Sequence, residues 1–400
     1  MNASKIREDF PILQSVKPPI YFDNACMSLR PRQVVAAMNE YYEQYPACVG
    51  RSQHRLGKLA TEAYERARAR IAKFIGAKPE EIIFTRNTTE GINLVARAFP
   101  FEKGDVVLGT DKEHNSNLLP WLMLAKERGI RHAICHSNSD NTFSMPNFED
   151  ELKANRPKLV AFVHASNLDG VTIPAQEIIK RAHDAGALVL LDAAQSAPHQ
   201  SIDVRKLGVD FLAFSGHKML GPSGTGVLYV KRAVVEQLGQ FMIGGETVIN
   251  STYDSYQLDK PPARFEAGLQ NYAGAIGLAA AADYLEKIGL ENIRKHELEL
   301  TKQLTAGISQ ISGVSIIGPA PELRGGVTSF NVGKLDPHAV AIMLDELAGI
   351  AVRSGQHCVH SWFNAHDLKG SVRASLYLYN TEEEVRTFIE TLQKIAKTLK

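Results

Sequence analysis

Two apolar stretches of this sequence each end at a residue that could take part in chemistry. Residues 188–191 are apolar and are followed by Asp192, and residues 211–214 are apolar and are followed four positions later by Lys218. Short apolar runs of this kind are typical of buried strands. Glycines and a proline come directly after Lys218 and predict a turn. The lysine is therefore expected in a corner between two strands.

An aspartate and a lysine that follow neighbouring strands form the pair that pyridoxal 5'-phosphate (PLP) requires. The lysine amine can condense with the cofactor aldehyde, and the aspartate can keep the pyridine nitrogen protonated so that the ring accepts electrons. Ser215 and His217 place further hydrogen-bonding groups beside Lys218. Lys218 could instead be an ordinary lysine on the solvated surface. Asp192, which also follows a predicted strand, argues against that alternative.

A candidate phosphate site lies earlier in the chain. Residues 81–85 indicate a strand, and Asn87 with Glu90 three residues later resembles the capping box of a helix. Thr88 and Thr89 then place hydroxyl groups at the helix start, where anions bind favourably. The pattern alone fits simple helix capping equally well, and the nearby lysine and aspartate favour a phosphate site.

Three more polar residues follow predicted strand ends. His114 comes after a strand at 105–108, Asn167 after a strand at 159–163, and Gln195 just after Asp192. In α/β folds, ligands bind at the carboxyl edge of the sheet, so these side chains are expected near one another.

A second set of reactive residues lies in the last fifty positions. Cys358 stands in a polar stretch, which favours an exposed thiol over a buried structural cysteine, and Arg353, His357 and His360 would favour its thiolate. Residues 354–365 have the composition of a mobile segment, with a glycine, no proline and an aromatic pair to anchor one end.

Taken together and in order, these motifs resemble the class V aminotransferases of fold type I, most closely the SUF-type (group II) cysteine desulfurases and selenocysteine lyases. The resemblance runs from about residue 21 to the C-terminus. The matching stretches are 88–93 (Thr-Thr-Glu-Gly-Ile-Asn), 113–114 (Glu-His), 166–167 (Ser-Asn), 192–195 (Asp-Ala-Ala-Gln), 215–218 (Ser-Gly-His-Lys), 264–268 (Arg-Phe-Glu-Ala-Gly), 353–358 (Arg-Ser-Gly-Gln-His-Cys) and 373–375 (Arg-Ala-Ser).

The fold implied is α/β: a large PLP-binding domain with a mostly parallel, seven-stranded sheet wrapped by helices, and a smaller α+β C-terminal domain. The alternation of predicted strands and helices over residues 80–230 points to the same parallel sheet. A chain of 400 residues also exceeds one compact core. We expect domains at 18–275 and 276–400, with residues 1–17 packing on the smaller one.

The resemblance implies a set of cofactor contacts. The ring of His114 would stack on the PLP ring and could move protons, while Asn167 and Gln195 would hydrogen-bond the ring oxygen. The implied cofactor-binding residues are Thr88, Thr89, His114, Asn167, Asp192, Gln195, Ser215, His217 and Lys218.

The resemblance also implies a substrate site. Arg373 would pair with the substrate carboxylate, and Arg353, Asn24 and Ala25 would lie on the substrate side. Cys358 would attack the sulfur and become a persulfide, which makes Lys218, Cys358 and His114 the implied catalytic residues.

The activity expected is that of a PLP-dependent cysteine desulfurase: L-cysteine becomes L-alanine, and the sulfur passes through Cys358 to an acceptor protein, for example in iron–sulfur cluster assembly. A homodimer is implied. A selenocysteine lyase, a cysteine or cystine C–S lyase, an epimerase, an aminotransferase and a non-catalytic scaffold are the alternatives.

The chain departs from the family pattern at several positions, among them residues 359–361, which are Val-His-Ser in place of Ala-Met-Pro. Gly50, Asn115 and Gln356 stand where the family has histidines, and Leu269 replaces a hydroxyl residue expected to contact the phosphate across a dimer. These departures leave the substrate and the sulfur acceptor open.

Composition excludes several classes of partner. The formal net charge is +1, which gives no electrostatic reason to bind nucleic acid or an anionic membrane. No run of 18 apolar residues predicts a membrane span, and the polar N-terminus does not indicate a signal peptide, so a cytoplasmic protein is expected. Four cysteines without paired spacing predict neither a metal site nor a disulfide framework.

Overall fold

A computed structural model describes residues 1–397 of the chain. Its helices are α1 (Ala3–Arg7), α2 (Arg32–Gln44), α3 (Arg55–Phe74), α4 (Thr88–Ala98), α5 (Leu119–Arg128), α6 (Met145–Asn155), α7 (Ala175–Asp184), α8 (Val204–Leu207), α9 (Arg232–Val235), α10 (Tyr272–Ile288), α11 (Leu290–Ser309), α12 (Pro337–Ala348), α13 (His360–Ala365) and α14 (Glu382–Lys397). Its strands are β1 (Ile20–Tyr21), β2 (Ile82–Thr85), β3 (Val106–Thr110), β4 (Arg131–Cys135), β5 (Leu159–Val163), β6 (Leu188–Asp192), β7 (Phe211–Ser215), β8 (Gly226–Val230), β9 (Val248–Ser251), β10 (Tyr256–Leu258), β11 (Val314–Ile317), β12 (Val327–Val332), β13 (Ile350–Ala351), β14 (Arg353–Gly355) and β15 (Ser371–Ser375).

The largest sheet of the described chain has the strand order β2-β8-β7-β6-β5-β3-β4. Only β8 runs against the others, because it pairs antiparallel with β2 and β7. In β6, Val189 and Leu191 pack in one buried cluster and Leu190 packs in another. Both faces of the sheet are thus covered, which explains the continuous apolar runs in its strands. The predicted α/β fold with a mostly parallel, seven-stranded sheet is confirmed.

The carboxyl ends of three neighbouring strands meet at one edge of this sheet. β5, β6 and β7 pair in parallel, with Val163 opposite Asp192 and Asp192 opposite Ala213. The chain therefore leaves the sheet at this edge just before Asn167, just after Asp192 and just before Lys218. Parallel pairing alone brings these distant positions together.

A smaller antiparallel sheet, ordered β11-β12-β15-β14, forms the centre of the C-terminal region. Phe330, Val372 and Phe388 pack in its core. β15 ends at Ser375, and two residues later the Tyr377 amide donates to the side chain of Asn380 (2.8 Å) instead of to a neighbouring strand.

Contacts near the N-terminus join the two regions. β1 pairs in parallel with β13, so residues that the predicted boundaries place in the large domain pair with the C-terminal region. Arg7 forms an ion pair with Glu384 at 2.6 Å, and Tyr284 donates to Asp9 at 2.8 Å. The domain boundaries stay a prediction.

Within residues 1–397, no helix combines the length and apolar character needed to cross a bilayer.

A buried carboxylate anchors the loop before α10 to the large domain. Glu266 accepts two hydrogen bonds from Arg68 (2.7 and 2.9 Å), one from the Tyr64 hydroxyl (3.0 Å) and one from the Phe84 amide (2.7 Å). Arg68 and Glu266 are both buried. Loss of one partner would leave an unpaired charge in the interior.

We therefore predict that Glu266→Ala lowers the free energy of unfolding by about 3–5 kcal/mol, the cost of breaking a buried pair. Glu65→Ala is the matched control, because exposed Glu65 pairs with the same arginine at 3.2 Å. That control should cost at most about 1 kcal/mol. Urea denaturation of both variants checks the prediction, and equal effects would contradict it.

Candidate active site

A cavity of about 210 Å³ lies between the carboxyl ends of β5, β6 and β7 and the C-terminal region. Its walls include nearly all the predicted site residues: Ala25, Thr88, Thr89, His114, Asn167, Asp192, Gln195, Ser215, His217, Lys218, Arg353, Cys358 and Arg373. The structure therefore brings together residues that are up to 348 positions apart in the chain.

Asn24 is the predicted site residue that does not line this cavity. Its side-chain amide is buried and donates to the Ser375 carbonyl at 2.7 Å, and its oxygen accepts from the Tyr379 hydroxyl. Asn24 ties the turn after β1 to the end of β15 behind the cavity wall, and its expected place on the substrate side stays a prediction.

Lys218 and Asp192 form the polar centre of the cavity. Asp192 is buried and accepts a hydrogen bond from the Ala194 amide at 2.9 Å. Burial raises the pKa of Asp192, and the hydrogen bond and Lys218 act against that rise. Burial lowers the pKa of Lys218, which the Asp192 charge opposes and the Arg373 charge reinforces. Each group thus makes the charged form of the other less costly.

The start of α4 lies on one side of the cavity. The Asn87 side chain caps the helix by accepting from the Glu90 amide at 3.0 Å. The Thr88 amide donates to Ser215 at 2.9 Å, and the Thr89 hydroxyl lies 2.7 Å from that of Ser116. Hydroxyl groups and the positive end of a helix therefore meet here, as an anion requires.

His114 is held as a neutral ring. Its Nδ1 accepts a hydrogen bond from the Ser116 amide at 3.0 Å, so the ring proton is on Nε2. Burial and, to a lesser extent, the charge of Lys218 lower the pKa of His114 to about 3. The preceding residue, Glu113, fixes the turn by accepting from the Val163 amide (3.0 Å) and the Asn117 side chain (2.7 Å).

The turn that carries Cys358 has an unusual backbone. His357 and Cys358 both have positive φ angles, 50° and 59°, which non-glycine residues rarely adopt. Two of the hydrogen bonds at this turn come from the loops after β3 and β5: the Asn115 amide donates to the Cys358 carbonyl and the Asn167 side chain donates to the His357 carbonyl, both at 2.7 Å. Cys358 itself is exposed, as predicted.

Part of the segment predicted to be mobile is ordered. Residues 360–365 form α13, and Trp362 and Phe363 are buried in a small apolar cluster that anchors this end. For the turn itself, the mobility expected of residues 354–365 stays a prediction.

The positive charge expected from His357 is absent. Burial, followed by the charges of Arg373 and Arg353, lowers the pKa of His357 to about 2, so the ring is neutral near pH 7. Its Nε2 lies 2.8 Å from the Ser371 hydroxyl. Arg353 remains as a cation in the cavity wall beside Cys358.

Several buried polar atoms of the cavity walls are unpaired. Within residues 1–397, Asn167 Oδ1, Gln195 Oε1 and Arg373 Nε have no hydrogen-bond partner. Buried polar atoms are normally paired, so these atoms indicate a place for a bound polar molecule. A lysine amine, a buried carboxylate and a helix start in the same cavity fit the aldehyde, ring nitrogen and phosphate of PLP.

The departures from the family pattern have different surroundings. Asn115 contacts the Cys358 turn, and its side-chain amide lies 2.9 Å from His360 Nδ1. Gln356 reaches Asn364 at 3.5 Å, whereas Leu269 is exposed to solvent.

Sequence reasoning missed Cys26, which lines the cavity together with Cys358. Cys26 could have been found from its position directly after Asn24 and Ala25, because both of those residues were expected near the substrate.

Comparisons with known proteins agree with this site. The aminotransferase class-V family model matches residues 20–388. A probable cysteine desulfurase of Pyrococcus abyssi is 44% identical over 399 residues, which cover 99% of this chain and 98% of the relative. The apo structure of a cysteine desulfurase from Thermococcus onnurineus superposes with a TM-score of 0.95 at 43% identity, covering 99% of this chain and 98% of that one.

A more distant structure carries the cofactor. A Lys-to-Ala mutant of the protein C-DES, with glycine covalently linked to PLP, superposes with a TM-score of 0.84 at 23% identity, covering 97% of this chain and 98% of that one. At this identity the likeness concerns the fold.

We predict that Lys218→Ala cannot form a borohydride-reducible adduct with PLP, because it removes the amine that lies opposite Asp192. Lys206→Ala, which removes an exposed lysine of α8, is the control and should form the adduct like the unaltered protein. Intact-mass spectrometry after reduction measures the adduct. A reduced adduct on another lysine of the Lys218→Ala variant would refute the assignment.

Proposed function

This chain belongs to the aminotransferase class-V family, and from that premise we propose that it is a PLP-dependent cysteine desulfurase that converts L-cysteine to L-alanine. One observation carries the choice of this reaction within the family. An exposed thiol, that of Cys358, lines the same cavity as Lys218. A transaminase, an epimerase or a C–S lyase needs no persulfide-forming thiol at this place.

The residues that would hold the cofactor lie on the large domain. Asp192 would hold the ring nitrogen, the start of α4 with Thr88 and Thr89 would hold the phosphate, and Lys218 would bond the aldehyde. Bound PLP supplies an electron sink for the carbon next to the substrate amine. The neutral ring of His114 can present its Nε2 proton to a polar atom in the cavity.

The residues that would handle the substrate lie mainly on the C-terminal region. The Arg373 guanidinium is buried, donates to the Asn167 carbonyl at 3.0 Å and keeps Nε available for a carboxylate. Lys218, with its pKa lowered by burial, can accept and return a proton. The Cys358 thiolate would take the substrate sulfur: the carbon–sulfur bond breaks, a sulfur–sulfur bond forms, and a proton completes alanine.

We predict that Cys358→Ser retains PLP and still binds L-cysteine but forms neither sulfide nor alanine, because a hydroxyl is a far poorer nucleophile toward sulfur than a thiolate. Cys48→Ser, altered outside the cavity, is the matched control and should keep full turnover. Alanine formed from L-cysteine is the measurement, and alanine production by Cys358→Ser within a few-fold of the unaltered enzyme would reject the role proposed for the Cys358 thiol.

A homodimer and a protein acceptor complete the proposal. Large apolar side chains between residues 242 and 269 are exposed in the single chain and would be covered by a second copy: Met242, Ile243, Ile249, Tyr256 and Leu269. A monomeric mass in solution would contradict the dimer.

Exposure of Cys358 suits delivery of sulfur to a protein acceptor, and the free cysteines suit the cytoplasm.

A further inference from the structure

The cavity described above contains a second thiol. Cys26 and Cys358 line it from opposite parts of the chain, the first from the turn after β1 and the second from the turn after β14. Neither sulfur is in a disulfide within the described residues, and Cys26 is half-buried whereas Cys358 is exposed.

The turn that holds Cys26 is fixed on three sides. The Cys26 amide donates to the Asp23 carbonyl at 3.1 Å and closes the turn. The neighbouring Ala25 accepts from the Gln195 side chain at 2.6 Å and donates to the Ser375 hydroxyl at 2.9 Å. The backbone of the Cys26 turn is therefore bonded both to Gln195, after β6, and to Ser375, at the end of β15.

Two cations, Lys218 and Arg373, interact with Cys26. Cys26 and Cys358 both lie near enough to the Lys218 amine for a negative charge on either sulfur to stabilise the ammonium form. Cys26 acts in the same way on Arg373, which is buried and has an unpaired Nε. A cavity with these cations and two thiols is suited to hold more than one anionic sulfur species.

We propose that Cys26 is a second sulfur-accepting thiol, which takes the sulfane sulfur from the persulfide of Cys358. The inference rests on the proposed function, because that reaction forms the persulfide. The Cys26 thiolate attacks the outer sulfur, a sulfur–sulfur bond forms at Cys26, and the bond at Cys358 breaks to leave a Cys358 thiolate. The exchange conserves oxidation state, so it requires neither oxidant nor reductant.

Exposure favours this direction of transfer. A sulfur–sulfur bond carries the outer sulfur about 2 Å beyond that of Cys358, and Cys26 lines the same cavity. After the transfer, the exposed Cys358 is a free thiol that can accept a second sulfur, while the first is kept inside the cavity. The chain would then store two sulfane sulfurs.

The test counts and locates sulfur atoms. The enzyme with bound PLP is incubated with excess ³⁴S-labelled L-cysteine without reductant or acceptor, alkylated, and analysed by peptide mass spectrometry. We expect labelled persulfide at Cys26 and Cys358, about two per chain, and about one per chain in Cys26→Ala, since each thiolate accepts one sulfur by exchange. Cys26→Ser serves as a second variant, and Cys48→Ala should retain both labels.

Cys358→Ser identifies the route, because Cys26 should then carry no label. Label on Cys26 in that variant at the unaltered level would overturn the relay, since Cys26 would be taking sulfur directly. Label on Cys358 but never on Cys26 would refute the inference and leave the proposed function intact. No label on either cysteine would refute the proposed function itself.

Discussion

A lysine amine has to remain available in a partly closed cavity, and the buried carboxylate of Asp192 makes this possible. Burial disfavours the charged form of each group, and their mutual attraction offsets part of that cost. The pair exists because β6 and β7 lie side by side in parallel, with Asp192 opposite Ala213. A shift of one residue in that register would turn Asp192 away from the cavity.

The C-terminal region completes the site through backbone carbonyls. Asn167 is central, because its side chain donates to the His357 carbonyl while its own carbonyl accepts from Arg373. The Asn115 amide holds the Cys358 carbonyl in the same manner. These few bonds keep two successive residues in the left-handed conformation, which costs on the order of 1–3 kcal/mol for each residue. The thiol is thus positioned by contacts that can be broken without disturbing either core.

Local pattern was sufficient for the sheet and for the edge where the site lies. Apolar runs marked the strands, and polar residues after them marked Asp192, Asn167 and Lys218, because parallel strands end at a common edge. The family resemblance added Arg373 and Cys358, which no local pattern connects to that edge.

The remaining features depend on contacts distant in sequence. Asn24 lies behind the wall because residues 375–380 bind it, and His357 is neutral because Arg373 and the surrounding protein enclose it. Cys26 comes to line the same cavity as Cys358 only when the turn after β1 is bonded to Gln195 and Ser375. The residues next to these positions in the sequence therefore do not predict their burial or their long-range contacts.

The fate of the three-carbon product tests the central claim most directly. Purified enzyme with PLP is given L-cysteine and a thiol reductant, and alanine, pyruvate, ammonia and sulfide are quantified over time. A desulfurase in which Cys358 takes the sulfur yields alanine and sulfide in equal amounts, without pyruvate or ammonia. Pyruvate and ammonia in step with sulfide would show that the carbon–sulfur bond breaks by elimination, which contradicts the role assigned to Cys358.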